Sequence, residues 1–381
     1  MPDLDRYHRQ ILLPGIGEAG QRRLMGAHAL VVGCGALGTM IIDALARAGV
    51  GRLRLVDRDI VELTNLQRQV LFDEADVAEG IPKAEAARAK VARINSQVVV
   101  EAHVDDFNAT NADRFADGVD LILDGLDNFE TRYLVNDLAV ARGLPYLYGG
   151  AVGTTGMSMP ILPHPRHRRG PGPGSGSGSG PGAGAQAIAW TAEQSTPCLR
   201  CVFPEAPPPG SSPTCDTAGV LGPAVAMIAA HQVTQALKLL TGHLDLIDRS
   251  LHSIDVWSNQ THSFDVGEAR RTSECPCCVN GVFEYLEGGA GSSTTTLCGR
   301  NAVQIAPADG HTLDLADMAA RLGAHGTFTH NRYLLRGTFT ADRGSSGEPL
   351  ELTLFANGRA IIKGTTEPQV ARSLYAKYVG V

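Results

Sequence analysis

The sequence predicts an α/β chain: a nucleotide-binding sheet in the front and a small α+β unit at the end. From residue 29 to residue 148, short apolar runs the length of buried strands alternate with stretches of helical spacing, the pattern of βαβ units. The first such run is joined to the first helix by Gly33, Gly35 and Gly38, a G-x-G-x-x-G turn. Beyond a break near residues 287–293, the last stretch reads as strand, helix, three strands and helix, with Asn357-Gly358 as a hairpin turn.

Leu30-Val-Val32 is the first strand, Met40 to Ala48 a helix, and Arg52 to Val56 a second strand ending in Asp57. Glycines at this turn let backbone N–H groups approach a phosphate at the helix N-terminus. Asp57 lies 19 residues past Gly38, where a ribose-binding carboxylate sits in such units. Before this unit, Arg6-Tyr-His-Arg9-Gln reads as an arm or a single helical turn, with a solvated face as the plain alternative, and a helix follows around Gln21 to Met25.

After Asp57, the polar loop through Asp59, Asn65 and Arg68 leaves a strand at its carboxyl end, the edge that holds ligands in open α/β sheets. Lys83 opens a helix running to Ile94, an unfavourable place for a cation unless an anion is near. Val98 to Val104 and Asp120 to Asp124 are the third and fourth strands. The fourth runs into Gly125-Leu-Asp127-Asn128, where a carboxylate beside a nucleotide suits Mg²⁺. Capping of the next helix, Glu130 to Arg142, is the alternative use of Asp127 or Asn128. Pro145-Tyr-Leu-Tyr148 is a fifth strand, followed by a Gly-rich stretch from Gly149 to Gly156.

At about residues 164–186 the composition breaks. Glycine occupies every even position from 170 to 184, a flexible insertion with no capacity for a core. Cys198-Leu-Arg-Cys201 and Cys275-Pro-Cys-Cys278 then pair across 73 intervening residues. Two C-x-x-C units make a closed, structural zinc site, so Cys198, Cys201, Cys275 and Cys278 are the expected ligands, with Cys277 as an alternative to a neighbour. Cys215 stands before a helix expected from about Pro223 to Leu240, capped by Asp216 or Thr217. A thiol there is either activated by the helix N-terminus or simply part of a cap. Leu251 to Trp257 and Thr261 to Phe264 read as paired strands.

A net charge of −7 and 43% hydrophobic residues describe a chain with an ample core and no electrostatic case for a nucleic-acid partner. No apolar run approaches the ~20 residues of a membrane span, and the charged first residues do not read as a signal peptide. A cytoplasmic protein with reduced cysteines is expected. Three functions fit the glycine turn: an NAD-dependent dehydrogenase, an ATP-dependent adenylating enzyme, and a non-catalytic nucleotide-binding protein. A dehydrogenase leaves Arg68, Lys83, Asp127 and the four cysteines without roles. Adenylation needs cations for a triphosphate and a carboxylate for Mg²⁺.

These pieces together, with Asp127-Asn128-Phe-x-x-Arg132 and Cys215-x-x-Ala-Gly-Val-Leu-Gly-Pro, resemble the E1-like ThiF/MoeB enzymes that activate ubiquitin-like sulfur carriers. The resemblance spans about residues 6–279, and the tail is similar to the extension of longer ThiF-type members rather than to a rhodanese domain. It implies a Rossmann-like E1/ThiF fold, with a mostly parallel sheet continued by antiparallel strands, over residues 1–286, and a small α+β domain over 297–381. It implies that Asp57 binds the ribose, that Asp59 belongs to the same nucleotide site, that Asn65, Arg68 and Lys83 hold phosphates, and that Asp127 holds Mg²⁺. Arg9 would reach the neighbouring subunit's nucleotide in a homodimer. The expected cofactors are ATP, Mg²⁺ and structural Zn²⁺. The expected substrate is the C-terminal Gly-Gly carboxylate of a ThiS-like carrier, with a MoaD-like carrier as the alternative, and sulfur would come from a cysteine desulfurase or another persulfide donor. Cys215 matches the family cysteine that carries sulfur or carrier in ThiF-type members and is dispensable in MoeB-type ones.

Overall fold

The computed structural model describes residues 4–165, 188–205, 218–272, 274–288, 295–297, 301–305, 313–344 and 347–379. They divide between two units, residues 4–205 with 218–288, and residues 295–379. The first unit runs α1 (His8–Ile11), α2 (Gly17–Gly26), β1 (His28–Val32), α3 (Ala36–Ala48), β2 (Arg52–Val56), α4 (Glu74–Ala78), α5 (Lys83–Ile94) and β3 (Val99–His103). It continues with α6 (Ala112–Ala116), β4 (Leu121–Asp124), α7 (Phe129–Arg142), β5 (Tyr146–Val152), β6 (Thr155–Ile161) and α8 (Leu199–Val202). It closes with α9 (Gly222–Thr241), β7 (Leu251–Asp255), β8 (Gln260–Phe264) and α10 (Gly267–Thr272).

All five residues of β1 are buried. Strand geometry sends Ala29 and Val31 to one face and Leu30 and Val32 to the other. A strand with no solvent face requires cover on both sides, as in parallel sheets. Ala29 and Val31 pack with apolar residues of α2, α3, α5 and α9, while Leu30 and Val32 pack with α6, α7 and α8.

The strand order is β3-β2-β1-β4-β5-β6-β7-β8. β1 to β5 pair in parallel, and β6, β7 and β8 continue the sheet antiparallel. The order reverses between β1 and β4, and the crevice at the carboxyl ends beside such a switch is where doubly wound sheets bind ligands. The chain leaves β1 at Gly33, β2 at Asp57 and β4 at Gly125, so these three positions meet there.

The Gly-rich stretch 149–156 carries no strand signal in the sequence. It is the β5–β6 hairpin, paired from Tyr146↔Ile161 to Val152↔Thr155. Its glycines are dictated by α9: a Cβ on Gly149 would stand 2.5 Å from the Gln232 side chain, and one on Gly156 would stand 2.4 Å from Ile228. The helix lies directly on the strand backbone, which removes the alternating side chains by which a strand is recognised. Helix α9 begins at Gly222 with Leu221 as N-cap; the expected caps Asp216 and Thr217 lie outside the described residues. Cys215 and the Gly/Pro/Ser segment from residue 166 to 187 lie outside the described residues.

In the second unit, β9 (Thr295–Leu297), β10 (Ala302–Ile305), β11 (Gly326–His330), β12 (Leu334–Arg343), β13 (Pro349–Phe355) and β14 (Ala360–Lys363) form one antiparallel sheet ordered β11-β12-β13-β14-β10-β9. Helices α11 (Leu315–Leu322) and α12 (Pro368–Tyr378) share its core, in which Met318, Leu335, Phe339, Leu354, Ile362 and Tyr375 pack together. Strands β9 and β11 are additions to the pattern legible in sequence; β11 (Gly-Thr-Phe-Thr-His) carries one large apolar side chain, so it gives little alternation to read.

Candidate functional site

The turn after β1 is a nest of three glycines, one of which is not in the motif. Gly33 has φ +92°, and a Cβ on it would stand 2.5 Å from the Gly125 carbonyl oxygen. A Cβ on Gly38 would stand 2.0 Å from the Gly33 oxygen, and one on Gly125 would stand 2.2 Å from the same atom. Gly33, Gly38 and Gly125 are therefore needed for backbone to meet backbone. Gly35 differs: its φ is −81° and its nearest neighbour to a Cβ, the Gly125 oxygen, is 3.6 Å away. Gly125 was legible only as the residue after a strand; its role comes from the crossing of two chain segments.

Asp57 closes the turn. Its Oδ2 accepts the Cys34 N–H at 2.6 Å, and its Oδ1 accepts the Asp59 N–H at 2.7 Å. Burial pushes its carboxyl up, and the Lys83 ammonium opposes that shift. The Lys83 side chain is 3% exposed and its Nζ donates to Asp59 Oδ2 at 3.1 Å, while its backbone N–H donates to the Asp59 carbonyl. A lysine at the start of α5 is thus accommodated by two neighbouring acids rather than by the helix, which solves the placement that the sequence leaves unexplained. Arg58, not singled out in the sequence, binds Asp106 Oδ1 at 2.7 Å and lies in the field of Asp59 and Asp127. Its signal was its position between Asp57 and Asp59, the two acids expected at the nucleotide.

Asp127 is exposed on the loop from β4 to α7, with Asn128 Nδ2 3.4 Å from its Oδ1. The capping role falls to Asn128, whose Oδ1 accepts the Thr131 N–H at 2.9 Å. The loop is anchored from below by Asp124 and Arg132. Asp124 is fully buried, and its carboxylate accepts from Arg132 Nε, Tyr146 OH and the Leu126 N–H at 3.2, 2.6 and 2.9 Å. Arg132 Nη2 also donates to the Leu126 and Gly149 carbonyls at 2.8 and 3.0 Å. Gln232 of α9 ties the Asp124 and Leu147 carbonyls together at 3.0 and 2.8 Å.

Of the other expected residues, Asn65 is buried and its Oδ1 accepts the Glu62 N–H in a capping turn. Arg68 Nη1 donates to the Thr64 carbonyl of the same turn at 2.9 Å, so neither residue is hydrogen-bonded to Lys83 or Asp127. Arg9 is exposed on α1. Its neighbours are the anchors of that motif: Asn95 Nδ2 donates to Tyr7 OH at 2.8 Å, and Gln10 Nε2 donates to the Ala48 carbonyl at 2.9 Å. Tyr7 and Gln10 were quoted in the sequence motif without a role; they dock the arm that presents Arg9.

On the α7 face of the sheet, the sulfurs of Cys198, Cys201, Cys275 and Cys278 gather within 4.8 Å of one another, all four residues buried. The Cys198–Cys275, Cys201–Cys278 and Cys198–Cys201 sulfurs are 3.6, 3.3 and 3.9 Å apart. Four thiolates bound at about 2.3 Å to a tetrahedral zinc ion stand about 3.8 Å apart, so the donor set fits that metal. Cys277 accepts from Asn136 Nδ2 at 3.4 Å and is not one of the four gathered sulfurs.

The ThiF family model matches residues 7–277. The chain is 38% identical to the sulfur carrier protein ThiS adenylyltransferase of Bacillus subtilis, over 98% of this chain and 99% of that protein. It is 36% identical to the SAMP-activating enzyme E1 of Haloferax volcanii, over 74% of this chain and 92% of that protein. Among solved structures, a crystal structure of E. coli MccB superposes with a TM-score of 0.54 at 22% identity, covering 72% of this chain and 74% of that one, a likeness of fold alone. With the glycine nest, its acid-paired lysine and the cysteine cluster in place, the chain belongs to the ThiF family of E1-like adenylyltransferases.

Proposed function

We propose that this chain adenylates the C-terminal Gly-Gly carboxylate of a ThiS-like, ubiquitin-fold sulfur carrier in the formation of the thiamine thiazole. The observation that carries the reading is the match to the Bacillus ThiS adenylyltransferase, which runs through the second unit as well as the first. The geometry supports ATP as the nucleotide. The Gly33–Gly38 turn at the N-terminus of α3 offers backbone N–H groups to a phosphate, and Asp57 stands at the end of the neighbouring strand for the ribose.

The reaction joins a carrier carboxylate oxygen to the α-phosphorus of ATP and breaks the bond to the β-phosphate, releasing pyrophosphate. Lys83 and Arg68 are assigned to the phosphates, and Arg9 to the nucleotide of a second copy in a homodimer. Lys83 is paired with Asp59 before the nucleotide arrives, which keeps a buried ammonium charged and in place. Asp127 presents an exposed carboxylate on the crevice loop, a suitable oxygen ligand for Mg²⁺, which when bound neutralises phosphate charge. The acyl-adenylate is then open to the terminal sulfur of a persulfide donor such as a cysteine desulfurase, which displaces AMP and forms an acyl disulfide. A second thiol then cleaves the S–S bond, taking the donor sulfur as its own disulfide and leaving the carrier thiocarboxylate. Cys215 is assigned to this sulfur step. The four cysteines hold a structural zinc ion that joins two distant segments of chain, and reduced thiolates of this kind suit a cytoplasmic location.

The test is mass spectrometry of purified carriers after incubation with the protein, Mg-ATP and a sulfur source, alongside ATP–pyrophosphate exchange. Carrier-dependent exchange and a thiocarboxylate on the ThiS-like carrier are expected. Thiocarboxylate on a MoaD-like carrier alone moves the reaction to molybdopterin synthesis. Tight NAD binding without affinity for ATP overturns adenylation altogether.

A further inference from the structure

We propose that His231, Asp248 and His252 form a second metal site, for a divalent ion of the zinc class held by two imidazole nitrogens and one carboxylate oxygen. One ring nitrogen of each histidine and one Asp248 oxygen lie within 4.8 Å of one another. The three residues come from different elements, α9, the loop before β7, and β7 itself. The cluster lies on the α9 side of the sheet, whereas the four cysteines pack on the α7 side.

The hydrogen bonds around His231 fit a neutral ring with its proton on Nδ1. Ser158 donates its hydroxyl proton to the Tyr148 carbonyl at 3.0 Å, so toward His231 Nδ1, 3.1 Å away, its oxygen is an acceptor. In this tautomer Nδ1 carries the proton, and Nε2 turns a lone pair toward Asp248 Oδ2 at 3.6 Å. The two atoms are then joined either by a proton, as a histidine–aspartate pair, or by a metal ion held between them. Gln235 Nε2 approaches that nitrogen at 3.3 Å, a long contact, while its Oε1 is taken by the Asp248 N–H at 3.1 Å and by Lys238 Nζ at 3.4 Å. The His252 ring stacks on that of His231, with centroids 4.8 Å apart and planes 7° from parallel, and its buried Nδ1 has no hydrogen-bond partner. His252 stands directly opposite Ser158 in the β6–β7 pairing, so the residue that orients one imidazole is the cross-strand neighbour of the other. Orientation of a ligand histidine through its second nitrogen is a general feature of built metal sites. Two imidazoles and a carboxylate suit zinc and its first-row neighbours rather than Ca²⁺ or Mg²⁺. An ion there would fasten α9 to β7 one residue from Gln232, which holds the strand ends beside the nucleotide crevice.

The test gives untagged, metal-free protein one equivalent of zinc per chain, which the four thiolates take first, and then titrates Co²⁺ while recording visible spectra. The expected result is uptake of about one further ion per chain, with weak ligand-field bands of nitrogen and oxygen donors and no intense thiolate charge-transfer band. His231→Gln and His252→Gln should abolish that uptake, and Asp248→Asn should weaken it by about tenfold or more. If the histidine variants do not fold, Asp248→Asn decides, because an Asn oxygen keeps the bond that Asp248 Oδ1 accepts from the Ser250 N–H. No further ion, a thiolate spectrum, or unchanged affinity in Asp248→Asn or in folded histidine variants overturns the proposal.

Discussion

Alanine at two glycines of the same motif should have opposite consequences. In Gly38→Ala the new methyl stands 2.0 Å from the Gly33 oxygen and 2.8 Å from its carbonyl carbon, both backbone atoms that no rotamer change can move. Reaching an ordinary contact distance requires the turn to shift by about 1 Å or more. Overpacking of this kind costs about 1–3 kcal/mol, and a reacting group misplaced by about 1 Å costs about a hundredfold in rate. In Gly35→Ala the nearest neighbour is 3.6 Å away, so the protein itself has room; what loses room is a phosphate resting on the turn. Melting temperature, ATP binding by calorimetry and carrier-dependent ATP–pyrophosphate exchange separate the two effects. Gly38→Ala should melt several degrees lower and lose exchange. Gly35→Ala should melt with the unsubstituted protein, yet bind ATP about tenfold or more weakly. A Gly38→Ala protein of unchanged melting temperature would refute the steric reasoning. A Gly35→Ala protein with unchanged ATP affinity would remove the phosphate from this turn.

Asp127→Ala should lower ATP–pyrophosphate exchange by about a hundredfold or more while leaving the melting temperature in place, because the carboxylate is exposed and Asn128, not Asp127, caps α7; retained exchange assigns the metal elsewhere. Cys198→Ser should remove about one zinc ion per chain and several kcal/mol of stability, read by elemental analysis and thermal melting; a metal-free native protein of equal stability removes the zinc. Asp137 is buried beside the cluster, and burial pushes its carboxyl up to about 6. A raised carboxyl costs stability as pH rises through the window from about 4 to 6, by up to about 3 kcal/mol once it is ionised. Asp137→Asn keeps an oxygen for the Tyr285 N–H, so its stability relative to the unsubstituted protein should rise across that window and level off above it. Chemical denaturation at pH 4.5 and 7.5 checks this, and a pH-independent difference contradicts it.

Much of the molecule was legible because its signals are local. Apolar runs as short as Leu30-Val-Val32 mark buried strands. The helices α5 and α7 were anticipated to within a residue, and C-x-x-C spacing put Cys198, the N-cap of α8, and Cys201 within its single turn side by side. Where tertiary contact replaces the local signal, no element is legible: Gly149 and Gly156 show no strand alternation because α9 is laid across them.

The site divides in the same way. The sequence alone determined the glycine turn, Asp57 at the end of the second strand and the paired cysteines, since each depends on residue type at short spacing. Only the tertiary structure decided that Gly125 completes the glycine nest, that Asp59 neutralises Lys83, that Asp124 and Arg132 hold the Asp127 loop, and that Cys277 lies outside the cluster. It also brought His231 against His252, two residues with no mutual signal along the chain. The physical reason is that spacing along a helix or strand dictates which face a side chain takes, whereas its partner depends on which distant segment packs there. For a buried charge or a bare backbone atom, that partner is most of its energy.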